Sequence, residues 1–230
     1  MRHAIVFGMA IIVMIWDKTA LGASGPDHRV SNSVVQIRGV TPEKRSYFGS
    51  GVVVAPKVVA TNCHVIRQGG TIGIFRGYRS YEVSGIRADE NGDLCLLEIP
   101  ELDFKPAHLA GSKSLRRGVR LSYYGFPRAL GMTYSSGLLL GTRKVDGVPL
   151  IETSAFFTLG GSGGGLFDEK GRLVGLATFI TPGHGGGYFA VGIDQLTSVM
   201  KRPIMPVRPL TGKAFWEAMT YALPRSSKGE

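Results

Sequence analysis

From residue 33 to residue 193 the apolar positions fall in short alternating or continuous runs separated by Gly, Pro, Asn and Asp, the spacing of β-strands rather than helices. Strands are predicted over 33–37, 47–55, 58–61, 71–75, 81–86 and 93–99 in the first half. In the second half they are predicted over 119–124, 132–140, 149–154, 164–167, 172–181 and 188–192. Pro56-Lys57 turns one run back into the next, and Asp168-Glu169-Lys170-Gly171 is a hairpin-type turn. The polar, Pro-containing stretch 100–118 is the predicted boundary between the halves. Helical spacing comes only near the end. A short helix is predicted over 194–201, and Thr211 can cap a second that puts Phe215, Ala218, Met219 and Ala222 on one face before Pro224 stops it. The pattern is that of an all-β chain, barrels or a sandwich, with short C-terminal helices.

Residues 1–23 stand apart from this pattern. Arg2 supplies a basic start, Ala4 to Trp16 is an apolar run of signal-peptide length, and Ala20, Gly22 and Ala23 offer a small-residue cleavage site. A signal peptide is therefore predicted over 1–23, with an uncleaved anchor as the alternative because Asp17 and Lys18 interrupt the cleavage region. The run is too short to span a bilayer comfortably, so no stable membrane insertion is expected after cleavage. Residues 24–32 read as a flexible arm, and 201–230 as a C-terminal extension that holds the short helix. Export implies a periplasmic or secreted protein in an oxidising compartment.

Charged residues make up 19% and hydrophobic residues 43%, with 33 glycines, which marks a turn-rich globular chain rather than a disordered one. The formal charge of +10 is spread without a run of five basic residues, and no zinc-finger spacing or basic-helix pattern accompanies it. Such scatter is a solvated surface, and no nucleic-acid partner is expected.

The chemistry centres on Thr158-Leu159-Gly160-Gly161-Ser162-Gly163-Gly164-Gly165-Leu166. The composition alone fits a flexible linker. Its flanks, 151–157 and 175–180, are strand-like, which puts the glycines inside a fold where the backbone can ring the serine with N–H groups. A serine hydroxyl needs a neighbouring base, and the base needs an acid to fix its tautomer. His64 and Asp93 precede Ser162 in an order that can supply both, and the backbone N–H groups of Gly160 and Ser162 can form an oxyanion hole.

Four motifs then line up: Phe48-Gly49-Ser50-Gly51-Val52, Ala60-Thr61-Asn62-Cys63-His64-Val65, Asp93-Leu94-Cys95-Leu96-Leu97 and Gly160-Gly161-Ser162-Gly163-Gly164. Together they resemble the trypsin/chymotrypsin superfamily of serine proteases, and most closely its bacterial heat-shock (Deg-type) branch, protease domain only. Ser136-Gly137-Leu138 and Gly125-Phe126-Pro127 resemble that branch too, so the similarity covers roughly 33–200. The resemblance implies two six-stranded antiparallel β-barrels, about 33–105 and 116–195, with the cleft between them. It implies a catalytic triad of His64, Asp93 and Ser162, a hydroxyl at Thr178 that supports Asp93, and an edge at Thr178, Phe179 and Ile180 along which a protein or peptide substrate pairs. No cofactor and no metal are implied. No PDZ-like module follows Met200, so oligomer-gated control is not assumed.

The departures from the family pattern carry expectations as well. Gly161 replaces the acid that precedes the serine in digestive members, so activation by a new N-terminal amine is not expected. Gly165 replaces a common proline, which leaves open an oxyanion hole that is unformed at rest. Phe156 and Phe157 match the floor of the specificity pocket, where no carboxylate stands, so a small or medium apolar side chain is expected before the scissile bond. If the triad forms, Cys63 and Cys95 become neighbours; they are either bridged, closing a loop of roughly 30 residues, or two buried thiols on opposite strand faces.

Three other functions compete with the protease. The glycine run also fits the G-x-S-x-G elbow of α/β-hydrolases, but that fold needs a helix after the serine and a later histidine, and the later one, His184, lies in a Pro/Gly loop. A catalytically silent fold that binds peptides or unfolded chains is the alternative of substance. A polyanion-binding surface protein rests on net charge alone.

Overall fold

The computed structural model describes Gly25 and residues 27–127, 131–181 and 187–217. The predicted signal peptide, His184 and the second half of the last predicted helix lie outside these residues. The chain opens with a one-turn helix α1 (His28–Ser31), then β1 (Val34–Val40), β2 (Ser46–Ala55), β3 (Val58–Thr61), the short helix α2 (Cys63–Ile66), β4 (Thr71–Arg76), β5 (Arg79–Glu82), β6 (Gly85–Asp89) and β7 (Leu94–Glu98). After the connection come β8 (Arg120–Gly125), β9 (Thr133–Val145), β10 (Val148–Thr153), β11 (Gly165–Phe167), β12 (Leu173–Ile180), β13 (Tyr188–Gly192) and α3 (Leu196–Met200).

The second set closes into a six-stranded barrel in the order β10-β13-β12-β11-β8-β9. The first set forms a seven-stranded sheet, β5-β4-β1-β2-β3-β7-β6. Seven strands appear where six were implied because the predicted strand over 81–86 breaks in its middle. There the Val83 N–H bonds the Ile72 carbonyl at 3.1 Å, while the Ser84 N–H bonds the Glu98 carbonyl at 2.9 Å. The chain thus steps from one edge of the sheet to the other within two residues, so the sheet curls back on itself as a half-barrel.

The continuous apolar runs of the first half are strands buried on both faces. Val53, Val59 and Leu97 point into a core with Val35, Ile37, Ile74 and Ile86 inside the first sheet. Their neighbours Val52, Val54, Val58, Ala60, Leu94 and Leu96 point the other way, against Tyr124, Phe167, Leu173, Leu176 and Leu196 of the second unit. Val52, Leu96 and Leu176 are fully buried, and each such side chain contributes about 1.5 to 3 kcal/mol. The two β-units are fixed against each other by this shared layer.

The arm expected over 24–32 is in part built into the fold. Asp27 accepts the Arg29 N–H at 2.8 Å and caps α1, and its own N–H donates to the Tyr124 hydroxyl at 2.7 Å. Val30 is thereby seated in the layer between the units.

Candidate active site

β3 pairs with β7 so that Thr61 faces Cys95. Because α2 starts directly after β3 and Asp93 directly precedes β7, His64 and Asp93 are brought together at the ends of adjacent strands. Asp93 has a φ of 51°, a left-handed conformation that aspartate tolerates. Its side chain is fully buried. Its carboxylate accepts the His64 backbone N–H at 2.9 Å, the His64 Nδ1 at 2.7 Å and the Trp216 Nε1–H at 2.8 Å. Three donors offset the cost of burying the charge. A carboxylate can only accept, so Nδ1 carries the imidazole proton and Nε2 is left as the acceptor.

Ser162 lies on the loop between β10 and β11, and hydrogen bonds hold that loop on both sides of the serine. The Gly161 N–H bonds the Thr158 carbonyl at 2.9 Å, and the Gly161 carbonyl accepts from the Gly164 N–H at 2.9 Å and the Tyr123 hydroxyl at 3.1 Å. Burial pushes the Tyr123 phenol up, which keeps it a donor. The Ser162 carbonyl accepts the Ser50 N–H at 2.8 Å. Gly163 has a φ of 81°, and a Cβ there would lie 2.0 Å from the Ser50 carbonyl oxygen. Only glycine fits. No described residue accepts from the N–H of Gly160 or of Ser162. The Ser162 hydroxyl donates to the Thr178 carbonyl at 3.2 Å and makes no hydrogen bond to His64.

His64, Ser162, Phe157, Thr158, Leu159, Thr178, Phe179, Ile180 and Trp216 line one pocket of about 290 Å³. Seven of the residues expected at the site are thus brought to one place: Asp93 behind His64, and His64, Ser162, Phe157, Thr178, Phe179 and Ile180 on the wall. Phe156 is absent from that wall. It is half-exposed, its ring set against the edge of Tyr188 at 5.5 Å, because adjacent residues of an extended chain face opposite ways. The Thr178 hydroxyl does not reach Asp93 either. It donates to the Leu176 carbonyl at 2.7 Å and accepts from Asn62 Nδ2 at 3.1 Å. Asn62 Nδ2 also donates to the Asp93 backbone carbonyl at 3.0 Å, so the link between Thr178 and Asp93 passes through Asn62.

Two site residues were missed in the sequence. Asn62 stands within the histidine motif, two positions before His64, but was given no role there. Trp216 lies 54 positions beyond Ser162 in a segment read only as an amphipathic helix. Cys63 and Cys95 form a disulfide with a Cα–Cα distance of 4.9 Å. The alternation of strand faces does not separate them, because Cys63 belongs to the helical turn α2 and not to a strand. Among the described residues no group of three or more His, Cys, Asp or Glu is placed to hold a metal ion.

Residues 49–176 match the trypsin-like peptidase domain family. The chain belongs to that family. Curated relatives of this trypsin-like peptidase chain include the periplasmic pH-dependent serine endoprotease DegQ of Escherichia coli, 33% identical over 63% of this chain and 34% of its own length. A probable periplasmic serine protease do/HhoA-like of Haemophilus influenzae is 30% identical over 73% of this chain and 39% of its own. The chain therefore spans about a third of the length of such relatives. Among solved structures, the active form of the Rv3671c protease from M. tuberculosis superposes with a TM-score of 0.71 at 22% identity, over 81% of this chain and 86% of that one. The HtrA-type protease AlgW with a bound tripeptide superposes with a TM-score of 0.68 at 26% identity, over 76% of this chain and 63% of that one. The α/β-hydrolase alternative falls with these matches, since a β-hairpin of β11 and β12, not a helix, follows Ser162.

Proposed function

We propose that the chain is an exported serine endopeptidase that hydrolyses peptide bonds through an acyl-enzyme, with Ser162 as nucleophile, His64 as general base and acid, and Asp93 as the group that orients His64. The observation that carries this reading is the 2.7 Å contact of the buried Asp93 carboxylate with His64 Nδ1, on the wall of the pocket that holds Ser162. The Ser162 hydroxyl turns from the Thr178 carbonyl to His64 Nε2 and gives up its proton there as its oxygen bonds the scissile carbonyl carbon. The N–H groups of Gly160 and Ser162 receive the oxyanion. His64 then passes the proton to the leaving nitrogen as the C–N bond breaks. Water repeats the sequence on the ester, giving its proton to His64, which returns one to Ser162.

A protein or peptide substrate fits a pocket with a strand edge at Thr178, Phe179 and Ile180. The HtrA-type neighbour with its bound tripeptide supports the same substrate class. Export is supported by the leader over 1–23, by the disulfide and by the periplasmic names of the relatives. The peptidase unit on this reading is 33–200, preceded by leader and arm and followed by the extension. The competing reading is a catalytically silent peptide-binding fold, favoured by the Ser162 hydroxyl's bond to Thr178 in place of His64. Hydrolysis of an apolar peptide ester separates the two. Ser162→Ala should lower kcat by on the order of 10⁶, whereas hydrolysis undiminished in that variant rules out the assigned nucleophile.

A further inference from the structure

The segment after α3 does not leave the molecule. The N–H groups of Met205 and Ile86 exchange 2.8 Å bonds with each other's carbonyls along the free edge of β6, and the Leu210 N–H bonds the Arg67 carbonyl at 2.9 Å. Leu210 is buried in the core of the first unit. The Gly212 N–H then bonds the Glu90 carboxylate, the Phe215 N–H bonds the Asn91 carbonyl at 3.1 Å, and Glu217 pairs with Arg67. Phe215 is buried with Val148, Leu150, Phe179 and Phe189 of the second barrel. Residues 203–217 are thus a strap that starts on one β-unit and ends on the other, across the cleft.

Trp216 is the point where this strap meets the chemistry. Its ring stacks on Phe179 at 5.2 Å with an interplanar angle of 18°, and Phe179 stacks in turn on Phe189 at 4.9 Å. Its edge contact with the His64 ring, at 5.3 Å and 82°, fixes it beside the imidazole. In that position Nε1–H donates to the same Oδ2 of Asp93 that accepts from His64 Nδ1. The Thr178 hydroxyl, spent on the Leu176 carbonyl, offers Asp93 nothing.

We propose that Trp216 is a positioning residue for the catalytic pair. Its indole N–H holds the Asp93 carboxylate, its ring holds the plane of His64, and the C-terminal strap is therefore part of the catalytic apparatus. The inference rests on the reading of Ser162, His64 and Asp93 as a triad. An indole N–H cannot turn away as a hydroxyl can, so Oδ2 is fixed by a donor that is itself clamped between Phe179 and His64. The charged or titratable groups around the pair are then Asp93, His64 and the Arg67–Glu217 ion pair, all in contact with the strap.

The test uses Trp216→Phe, which keeps an aromatic ring against Phe179 and removes the N–H. With a small acyl ester, kcat is expected to fall at least tenfold while KM stays within twofold; a residue serving only as pocket wall would move KM instead. Equal kcat in the variant and the parent overturns the inference. If the variant does not fold, the parent protein decides the matter by indole N–H nuclear magnetic resonance. The Trp216 signal is expected to be protected from solvent exchange and to shift when a serine phosphonate turns His64 into its imidazolium. A freely exchanging, unresponsive signal overturns the inference. Failure of the parent to hydrolyse the ester or to take up the phosphonate at Ser162 counts against the triad itself, and is distinct from either result.

Discussion

The side-chain carbonyl of Asn62 accepts the N–H of Gly163 at 2.8 Å, which joins the histidine strand of the first unit to the serine loop of the second. The same amide gives its N–H groups to the Asp93 carbonyl and the Thr178 hydroxyl. A single fully buried side chain therefore sets the serine loop, the aspartate turn and the substrate edge relative to one another. Asn62→Ala leaves these buried partners unmatched and is expected to cost on the order of 3 kcal/mol. Urea unfolding measures that loss directly. The account also expects kcat to fall, so a variant of parental stability and turnover would contradict it.

The disulfide is the second shared support. Cys63 and Cys95 close a sequence separation of 32 residues that includes both His64 and Asp93. On the chain-entropy model a loop of that size stabilises by about 3 to 4 kcal/mol. Replacing both cysteines by serine should lower the unfolding midpoint accordingly, and mass analysis after alkylation should find no free thiol in the parent. Alkylation of both cysteines without reductant would refute the bridge.

Acid is expected to release the strap. Burial alone would raise the Glu217 carboxyl, but the hydrogen bonds from Arg67 and the Ala214 N–H, with the charges of Arg67 and His64, outweigh it and hold the group below its ordinary value of 4.5. A carboxyl lowered on folding stabilises fully above its ordinary value, and that contribution is lost as pH falls through the lowered one. Trp216 is the one tryptophan left once the 1–23 leader is removed, and its fluorescence in that mature protein should change as pH drops below 4.5, while Glu217→Gln should remove the pH dependence. A titration centred near neutrality would assign the release to another group.

The pocket wall carries Phe157, Leu159, Phe179, Ile180 and Trp216 and no carboxylate. Cleavage after small or medium apolar residues is the expected outcome of profiling with a peptide library. Dominant cleavage after Arg or Lys would contradict the assignment of this pocket.

Much of this arrangement is legible in the amino-acid order, for identifiable reasons. The runs 47–55 and 58–61 can be read as strands because 49–54 and 58–61 are buried on both faces and β-branched valines dominate them, with Ser50 and Thr61 the polar positions. Ser162 stands out because glycines required by close contacts surround it, and His64 and Asp93 stand out because each sits at the end of a buried apolar run. Other features leave weaker traces. Asp146-Gly147, both with positive φ, makes the hairpin turn that extends β9 to Val145, beyond the predicted end at Leu140. The break at Val83-Ser84 depends on partners far away in sequence, Ile72 and Glu98. Trp216 was hidden for the same reason. Nothing local distinguishes a tryptophan that covers a helix face from one that reaches a buried aspartate 123 residues earlier.

The central claim is that Ser162, activated by His64, is a working nucleophile. It is tested most directly by the rate of labelling with a serine-directed phosphonate, followed by intact mass and peptide mapping. One adduct on Ser162 is predicted for the parent, with no adduct in Ser162→Ala and a rate lowered by orders of magnitude in His64→Ala. An unlabelled parent, or labelling that persists in Ser162→Ala, would contradict it.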